Sequence, residues 1–476
     1  TVKKSKLLDI YIALTPQEWR PLLDYVSSPY FNKQEEVVQL CEYLLELAKK
    51  DFPPALTKRE RVWQAVFPQQ PFAEKQMAYL MSDLLKLTEE FLGHRFWQER
   101  EESQEIAILR AVSERNLSKS YQFRLKKLKK TTALDPKRNA DYHYTAYTIA
   151  AIEDSFFNAQ NIRQENPHLS TQDEALDQYY LQSKLKLYCN MLNQAAVIDT
   201  QYELNWPPSP IESEAKEHAD PVTQTYQCLF ELLHNKEPNE NLFQKYNHLL
   251  GEIYQKTDHE ELISFYYFAI NYCLNAIKKG HRDYADKLLN LYQTGLSSNN
   301  LLVNGELSPW IYKNIIKLGL GLKQFAWVES FILAYTEKLP ENYRHDALYF
   351  NLSDLKYHQK EYDQALEHLN RIEFSDIFYK HGTKIMLLKI YFEKQETEAF
   401  LNLSSSYKLM LLREKKLSGS TLNAYKNFVR ITEKLIKVDI ANLDTLGKIE
   451  EEIHRTSNVN ARQWLLEQIR QMLEGR

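Results

Sequence analysis

The segment SDLKYHQKEYDQALEHLNRI, from Ser353 to Ile372, contains the pattern from which we infer the fold. It reads as the end of one helix, a short polar turn, and a second helix that begins near Ala365. Two helices reach the separation of about 8–10 Å that is typical of packed pairs only where a small side chain lies at the crossing. Ala365 meets that need, and Tyr362 and Leu369 lie on the same helical face. The stretch therefore predicts a closely packed pair of helices.

The same pattern recurs along the chain. In KKGHRDYADKLL, GLKQFAWVESFI and KIYFEKQETEAFLNL, the positions that correspond to Ala365 are Ala285, Val328 and Ala399. The intervals between the four positions are 43, 37 and 34 residues. The longest interval contains SSNNLLVNGELS, which we interpret as a loop insertion, with Asn304-Gly305 lying in a loop between helical segments. Repetition of the pattern predicts successive helix pairs.

A helix–turn–helix unit of 34 residues has the length of a tetratricopeptide repeat. The segment from about 260 to 405 therefore resembles a tetratricopeptide array, which implies an α-solenoid of stacked helix pairs. It departs from the usual pattern in two places. Tyr349 stands where the repeat has an early Trp, and Ser353 or Cys273 stands where the first helix has a glycine.

The whole chain also resembles a family of uncharacterised bacterial helical proteins, which implies no particular activity. The segments that carry this second resemblance are SPYFNK (Ser28–Lys33), MSDLLKLTEEFL (Met81–Leu92), LDQYYLQSKLKLYC (Leu176–Cys189) and LSPW (Leu307–Trp310).

The composition favours an all-α protein. Glycine accounts for only 11 of 476 residues, although hairpins and sheets need it for turns with positive φ. No run approaches the roughly 20 apolar residues that span a bilayer, so we expect no membrane insertion. The four cysteines are far apart and form no CxxC pair, which favours buried thiols over disulfides or a metal site. We therefore expect a cytoplasmic protein.

Two breaks divide the sequence. Asp135-Pro136 ends an N-terminal helical domain of residues 1–135, and residues 139–204 form further helical pairs. Residues 205–219 contain three prolines and an acidic run, which predicts an exposed loop or linker. Residues 220–476 form the tetratricopeptide-like solenoid, with a helical cap around Val459 to Leu473. Thr15, Asn32 and Thr57, each followed three residues later by Glu, are predicted helix N-caps.

The resemblance to tetratricopeptide arrays implies a binding groove, since the first helix of each pair lines a concave face in such arrays. Aromatic walls with mixed charge suit an extended peptide or a helix. The alternative is an irregular superhelix in which the same residues are core or plain surface. The residues that the resemblance places in the groove are Tyr267, Trp310, Lys313, Lys317, Phe350, Asp354, Tyr357, His358 and Lys389.

A basic segment at 119–138 is a second candidate. It has eight positive side chains against the single acid Asp135, a net charge of +7, while the whole chain has a net charge of −4. Lysine and arginine neutralise phosphates, so RNA or single-stranded DNA could bind here, as could an acidic protein. The third interpretation is a solvated face, because Tyr121, Leu125 and Leu128 form a helical apolar seam. The positive residues are Lys119, Arg124, Lys126, Lys127, Lys129, Lys130, Lys137 and Arg138.

Signals for catalysis are few. Gly319 and Gly321 lie inside a helical segment without a preceding strand, so they do not form a nucleotide-binding loop. His259 is followed by two glutamates but not by a second histidine four residues later. We expect no catalytic, metal or cofactor site, although a site assembled from distant helices leaves no mark in the sequence. The favoured function is a scaffold that binds a protein or peptide, and the alternative is a nucleic-acid-associated factor.

Overall fold

The computed structural model describes residues 5–160, 163–198, 202–204, 220–235, 237–373, 377–415, 417–438 and 443–474. About 77% of the chain is helical, which confirms the all-α prediction. The predicted loop or linker at 205–219 lies outside the described residues. The chain forms two compact units, Thr1–Lys184 and Leu185–Arg476, which are described separately.

The helices that begin in the first unit alternate with short connections. They are α1 (Lys6–Ala13), α2 (Pro16–Val26), α3 (Glu35–Ala48), α4 (Arg59–Val66), α5 (Glu74–Gln98), α6 (Glu101–Glu114), α7 (Ser118–Leu134), α8 (Ala140–Ala159) and α9 (His168–Ile198), within which the division between the units falls.

The second unit continues with paired helices. They are α10 (Pro221–His234), α11 (Glu240–Glu252), α12 (His259–Lys278), α13 (Tyr284–Ser297), α14 (Pro309–Gly321), α15 (Phe325–Tyr335), α16 (Glu341–His358), α17 (Tyr362–Leu369), α18 (Ile377–Glu393), α19 (Thr397–Arg413), α20 (Gly419–Leu435), α21 (Leu443–Arg455) and α22 (Arg462–Glu474).

Two apolar clusters lie among the described residues of the first unit. One is shared by α1 to α5 and contains the fully buried Trp63. The other is formed by α6, α7 and α8, where Tyr121 of α7 stacks on Phe156 of α8 with ring centroids 3.7 Å apart. The predicted boundary at 135 coincides with the end of α7 at Leu134. Because α6 and α7 share a core with α8, this helix end lies inside a compact unit.

In the second unit, consecutive helices pack as pairs: α10 with α11, α12 with α13, α14 with α15, α16 with α17, and α18 with α19. The first helices of the last three pairs also pack against one another, α14 on α16 and α16 on α18. The region predicted as a C-terminal cap contains α22, whose Leu465 and Ile469 are buried in a cluster with α18 to α21.

The turns inside the last four pairs share one geometry. Gly280, Lys323, Lys360 and Gln395 all have positive φ. In each turn the N–H of the next residue donates to the carbonyl five residues before it, as in a Schellman cap. Because the turn is the same in each pair, equivalent residues of the pairs can be identified by counting from its positive-φ residue.

Five residues after the positive-φ residue, the structure places Ala285, Val328, Ala365 and Phe400. Val328, Ala365 and Phe400 are fully buried, and Ala285 is half-buried. Ala399, the sequence-predicted equivalent of Ala365, lies one position earlier and is half-buried. The turn before α19 follows the previous turn by 35 residues, and this extra residue moves the buried position from Ala399 to Phe400.

The loop predicted around Asn304-Gly305 contains a small hairpin. Strands β1 (Leu302–Val303) and β2 (Glu306–Leu307) pair in antiparallel fashion, and they are the only strands in the described part of the chain. Asn304 and Gly305 both have positive φ, as a two-residue hairpin turn requires. The connection between helical segments that the sequence predicted here therefore includes two strands of two residues each, because an Asn-Gly turn closes a hairpin even between very short strands.

Gly319 lies at a close approach between α14 and α15. A Cβ atom at this position would lie 2.5 Å from the Cγ2 atom of Val328. Replacing Gly319 with alanine is therefore expected to lower the free energy of unfolding by about 1–3 kcal/mol, despite the better helix propensity of alanine. Gly321 has open space around it, so Gly321→Ala is expected to be neutral or stabilising by up to about 1 kcal/mol. Urea denaturation of both variants measures the difference, and equal effects would contradict the close crossing.

Candidate binding groove

A concavity of about 420 Å³ opens in the second unit, and we call it the groove. It is lined mainly by α14, α16 and α18, the first helices of three consecutive pairs. Among the described residues, the second helices α15, α17 and α19 contribute nothing to the lining. The lining residues are Pro309, Trp310, Lys313, Lys317, Pro340, Tyr343, Phe350, Asn351, Asp354, Tyr357, Tyr379, Gly382, Ile385, Met386, Lys389, Tyr425 and Asn460.

The structure brings together most of the residues that the sequence analysis placed in a groove. Those in the lining are Trp310, Lys313, Lys317, Phe350, Asp354, Tyr357 and Lys389. Tyr267 is half-buried in α12, and His358 is exposed on α16; neither belongs to the lining. Seven of the nine residues that the resemblance placed in a groove thus line this concavity, on α14, α16 and α18.

The sequence analysis missed the other lining residues, although helical spacing could have predicted some of them. Tyr379, Gly382 and Met386 precede Lys389 by ten, seven and three residues, which is the spacing of one helical face. Tyr425 of α20 and Asn460 before α22 come from later in the chain, and helical spacing does not relate them to the first helices of the pairs.

Aromatic rings form much of the wall. Trp310 is 65% exposed on α14, although it is a large side chain that would ordinarily be buried. Phe350 of α16 lies beside Tyr379 of α18, with ring centroids 5.3 Å apart. Gly382 makes room for the Phe350 ring, because a Cβ atom there would lie 2.9 Å from its edge. The absence of a side chain at 382 therefore lets the Phe350 ring lie against α18 at this point.

The charge of the groove is predominantly positive. Among the described residues, three lysines, Lys313, Lys317 and Lys389, line it, against the single acid Asp354. The Lys389 ammonium lies 5.8 Å from the ring centroid of Tyr357 and has no hydrogen-bond acceptor or ion-pair partner among the described residues. Burial lowers the pKa of Lys389, and the charge of Lys317 acts in the same direction. The negative charges of Asp354 and Glu393 act in the opposite direction and offset this only partly.

Glu393, one turn beyond Lys389, holds the helices around the groove. Its side chain is 6% exposed and accepts hydrogen bonds from Tyr357 and Tyr362, from Lys360 at 2.7 Å, and from the Trp464 indole at 2.7 Å. Burial alone would raise the pKa of Glu393, but these donors outweigh it and hold the pKa below its ordinary value. The carboxylate thus connects α16, α17, α18 and α22.

His358 and Asp354 form a local pair on α16. The Nδ1 atom of His358 lies 2.8 Å from the Asp354 carbonyl oxygen and 3.4 Å from its carboxylate. Burial would lower the pKa of His358, but the contacts with Asp354 outweigh it and raise the pKa. Asp354 is the acid among the described lining residues, and its contact with His358 leaves it less able to neutralise Lys317 and Lys389.

Much of the basic segment is engaged within the first unit. Arg124 donates to both carboxylate oxygens of Glu105 at 3.0 Å, Lys127 donates to Glu105 at 2.6 Å, and Lys129 donates to Glu153 at 2.7 Å. The hydrogen bond from Lys127 lowers the pKa of Glu105, against the opposing effect of burial.

The rest of the segment is divided between backbone contacts and solvent. Arg138 donates to the Asp135 carbonyl and lies over the Tyr142 ring, and the backbone N–H of Lys137 donates to Asp135. Lys126 and Lys130 are exposed. The seam side of α7 is buried, with Tyr121 and Leu128 inside and Leu125 partly so. This is the arrangement of a solvated helical face with ion pairs.

The four cysteines, Cys41, Cys189, Cys228 and Cys273, are buried and unpaired. Burial raises the pKa of each thiol, to about 11 for Cys41 and Cys228. Within the described ranges, no three His, Cys, Asp or Glu side chains are grouped so that they could hold a metal ion. A search of the same ranges finds no helix with the length and apolarity to cross a membrane.

Comparison with known proteins finds no matching family model, no matching curated protein and no matching solved structure.

Proposed function

We propose that this chain is a non-catalytic cytoplasmic scaffold that binds a protein or peptide in the groove, and that residues 220–476 form a tetratricopeptide-like α-solenoid. The observation that carries the proposal is the lining of the groove. First helices of three successive pairs present aromatic rings and lysines to one concavity, and no described residue of the second helices lines it. Side-by-side packing of α14, α16 and α18, with a common turn inside each pair, supports the solenoid arrangement.

The dimensions suit a peptide. Three first helices with neighbouring axes about 8–10 Å apart span roughly 16–20 Å, which an extended chain of about five or six residues covers. The cavity of about 420 Å³ exceeds the roughly 150 Å³ that holds one benzene ring, so it accommodates more than one side chain. Aromatic walls with a few charged groups are typical of surfaces that anchor peptides.

The alternative function, nucleic-acid binding through residues 119–138, receives less support. Arg124, Lys127 and Lys129 are engaged by Glu105 and Glu153, and a phosphate would have to compete with these carboxylates. A nuclease-treated arm in the capture experiment below tests it. Binding through phosphates would also weaken steeply between about 50 and 200 mM salt.

Reversing the charge of Lys313 and Lys317 tests the proposed function. We expect the full chain, immobilised, to select binders from a random peptide display library. The double variant Lys313→Glu/Lys317→Glu is expected to lose at least about tenfold in affinity for them, since an unfavourable charge at a binding site costs more than about 1.4 kcal/mol. Its melting temperature should stay unchanged, because neither lysine lies in an apolar cluster. Affinity is measured by biolayer interferometry and melting by circular dichroism.

The matched control is Lys437→Glu/Lys448→Glu, which changes the formal charge equally at exposed lysines outside the groove. It should bind the selected peptides as the unmodified chain does. Equal binding by all three proteins would overturn the assignment of the groove, and so would a folded chain that selects no peptide. In parallel, capture from a nuclease-treated lysate should retain the partner of a protein-binding scaffold and lose that of a nucleic-acid-binding factor.

A further inference from the structure

We propose that the groove recognises a short acidic segment carrying an aromatic side chain, with the ring between the aromatic walls and a neighbouring carboxylate at the ammonium groups of Lys317 and Lys389. This inference rests on the proposed function and names the chemistry of the occupant. It follows from three observations on the second unit: the lysines Lys317 and Lys389 without ion-pair partners among the described residues, the composition of the walls, and the close approach of Phe350 to Gly382.

The lysines specify the charge of the occupant. Lys317 and Lys389 line the same concavity, and within the part of the chain that the structure describes neither has an ion-pair partner. Asp354, the acid in the lining, is already in contact with His358 at 3.4 Å. Two like charges facing one partly desolvated space repel each other, and a carboxylate placed between them would relieve the repulsion. An amide or a cation in the occupant would not.

The walls specify an aromatic group beside the carboxylate. Trp310, Tyr343, Phe350, Tyr379 and Tyr425 contribute rings to the lining. Rings favour offset or edge contacts with another ring, with centroids about 4.5–7 Å apart, and the pair Phe350–Tyr379 already adopts such a contact at 5.3 Å. A further ring can extend this contact into the concavity.

Gly382 sets the position of the Phe350 ring in the wall that such a ring would contact. It lies on the same face of α18 as Lys389, and its lack of a side chain accommodates the edge of Phe350 at a distance that a Cβ atom would reduce to 2.9 Å. A methyl group at 382 would force the Phe350 ring to move, which changes the shape of the wall. Alanine is the better helix former, so Gly382→Ala affects the wall more than the stability of the helix.

The probes are short peptides, acetylated and amidated so that neither end is charged. A central Phe, Trp, Leu or Ala is flanked on both sides by Glu, Gln or Lys. We expect the full chain to bind the Glu-flanked aromatic peptides about tenfold more tightly than the Gln-flanked ones, since a hydrogen bond to a charged group is worth about 1.5 kcal/mol or more. Lys-flanked peptides should bind more weakly still, and the central Ala should also lose about tenfold.

Three variants locate the binding. Lys389→Met should abolish the preference for Glu over Gln while retaining the preference for an aromatic centre. Gly382→Ala should weaken binding of the aromatic peptides and keep the preference for Glu. Lys437→Glu/Lys448→Glu, outside the groove, should leave both preferences unchanged, and circular dichroism should show all variants folded.

The outcomes separate this inference from the function on which it rests. If peptides from the random library bind the groove but Glu- and Gln-flanked probes bind alike, the scaffold function stands and the acidic occupant is wrong. A preference for Glu that survives in Lys389→Met, or that is lost in the control double variant, would also overturn the inference. Either result would mean that the peptide carboxylate binds at a site other than Lys389 in the groove. If no library peptide binds the folded chain, both proposals fail.

Discussion

Replacing Glu393 with alanine is expected to lower the free energy of unfolding by about 3–5 kcal/mol, which is the cost of removing one partner from a buried, hydrogen-bonded charge cluster. The carboxylate accepts from Tyr357, Tyr362, Lys360 and Trp464, so alanine leaves buried donors without an acceptor. The Lys360 side chain is 59% exposed, so water can solvate its ammonium group in the variant. Most of the loss therefore comes from the two tyrosines and the indole, at about 1–3 kcal/mol for each unsatisfied group.

The same carboxylate gives the stability a pH dependence. Because the pKa of Glu393 is lowered in the folded chain, its charge stabilises the fold fully above the unfolded value of about 4.3. That stabilisation is lost as the pH falls through the folded pKa. The difference between the unmodified chain and Glu393→Gln should therefore be largest near neutral pH and shrink below about pH 4. Urea midpoints measured at several pH values, by circular dichroism, test this.

Glu367→Ala is the control for Glu393→Ala. Glu367 forms an ion pair with Arg371 at 2.7 Å, but both side chains are more than half exposed. Such a surface pair contributes at most about 1 kcal/mol. If the two alanine variants were equally stable, the carboxylate of Glu393 would not be the connection between α16, α17, α18 and α22 that the structure places there.

The sequence was sufficient for the features that depend on local spacing. Helical periodicity and small residues at the crossings predicted the pairs, and the capping box at Thr15 is present, with its backbone N–H donating to Glu18 at 2.8 Å. The predicted caps at Asn32 and Thr57 each lie too early. Gln34 and Lys58 precede the helices instead, and Asn32 accepts from the backbone of Gln34 in a turn. Threonine and asparagine serve turns as readily as caps, so the pattern alone did not distinguish them.

The remaining features depend on distant contacts. Glu393 was not predicted because its four donors come from α16, the turn before α17, α17 itself and α22, and the indole of Trp464 is 71 residues away. Tyr425 and Asn460 reach the groove from elements outside the paired pattern. In the basic segment, the number of charges is evident from the sequence. The ion pairs of Lys127 with Glu105 and of Lys129 with Glu153 are not, because they depend on the packing of α6 and α8 beside α7.

Ala365→Leu is expected to be the second most destabilising change, by about 3 kcal/mol, at the upper end of the range for overpacking a core. Ala365 is fully buried at the crossing of α16 and α17. Its carbonyl oxygen accepts from the hydroxyl of Ser353 at 2.9 Å, and the same hydroxyl lies 3.2 Å from the sulfur of Met386 in α18. A leucine at this position would push α17 away from α16 and strain both contacts. Chemical denaturation measures the loss.

Ala399→Leu is the matched comparison, since the sequence repeat treats Ala399 and Ala365 as equivalent. The structure does not: Phe400 is the fully buried residue at that crossing, and Ala399 borders an open surface concavity with Thr397 and Asn402. A leucine there has space, so the expected loss is below about 1 kcal/mol. Comparable losses in both variants would mean that Ala399 is equivalent to Ala365, as the 34-residue interval predicts. They would contradict the assignment of Phe400 to that position, which follows from the turns. A large loss only at Ala365 means that the positive-φ residue, rather than the 34-residue interval, fixes which side chain enters each crossing.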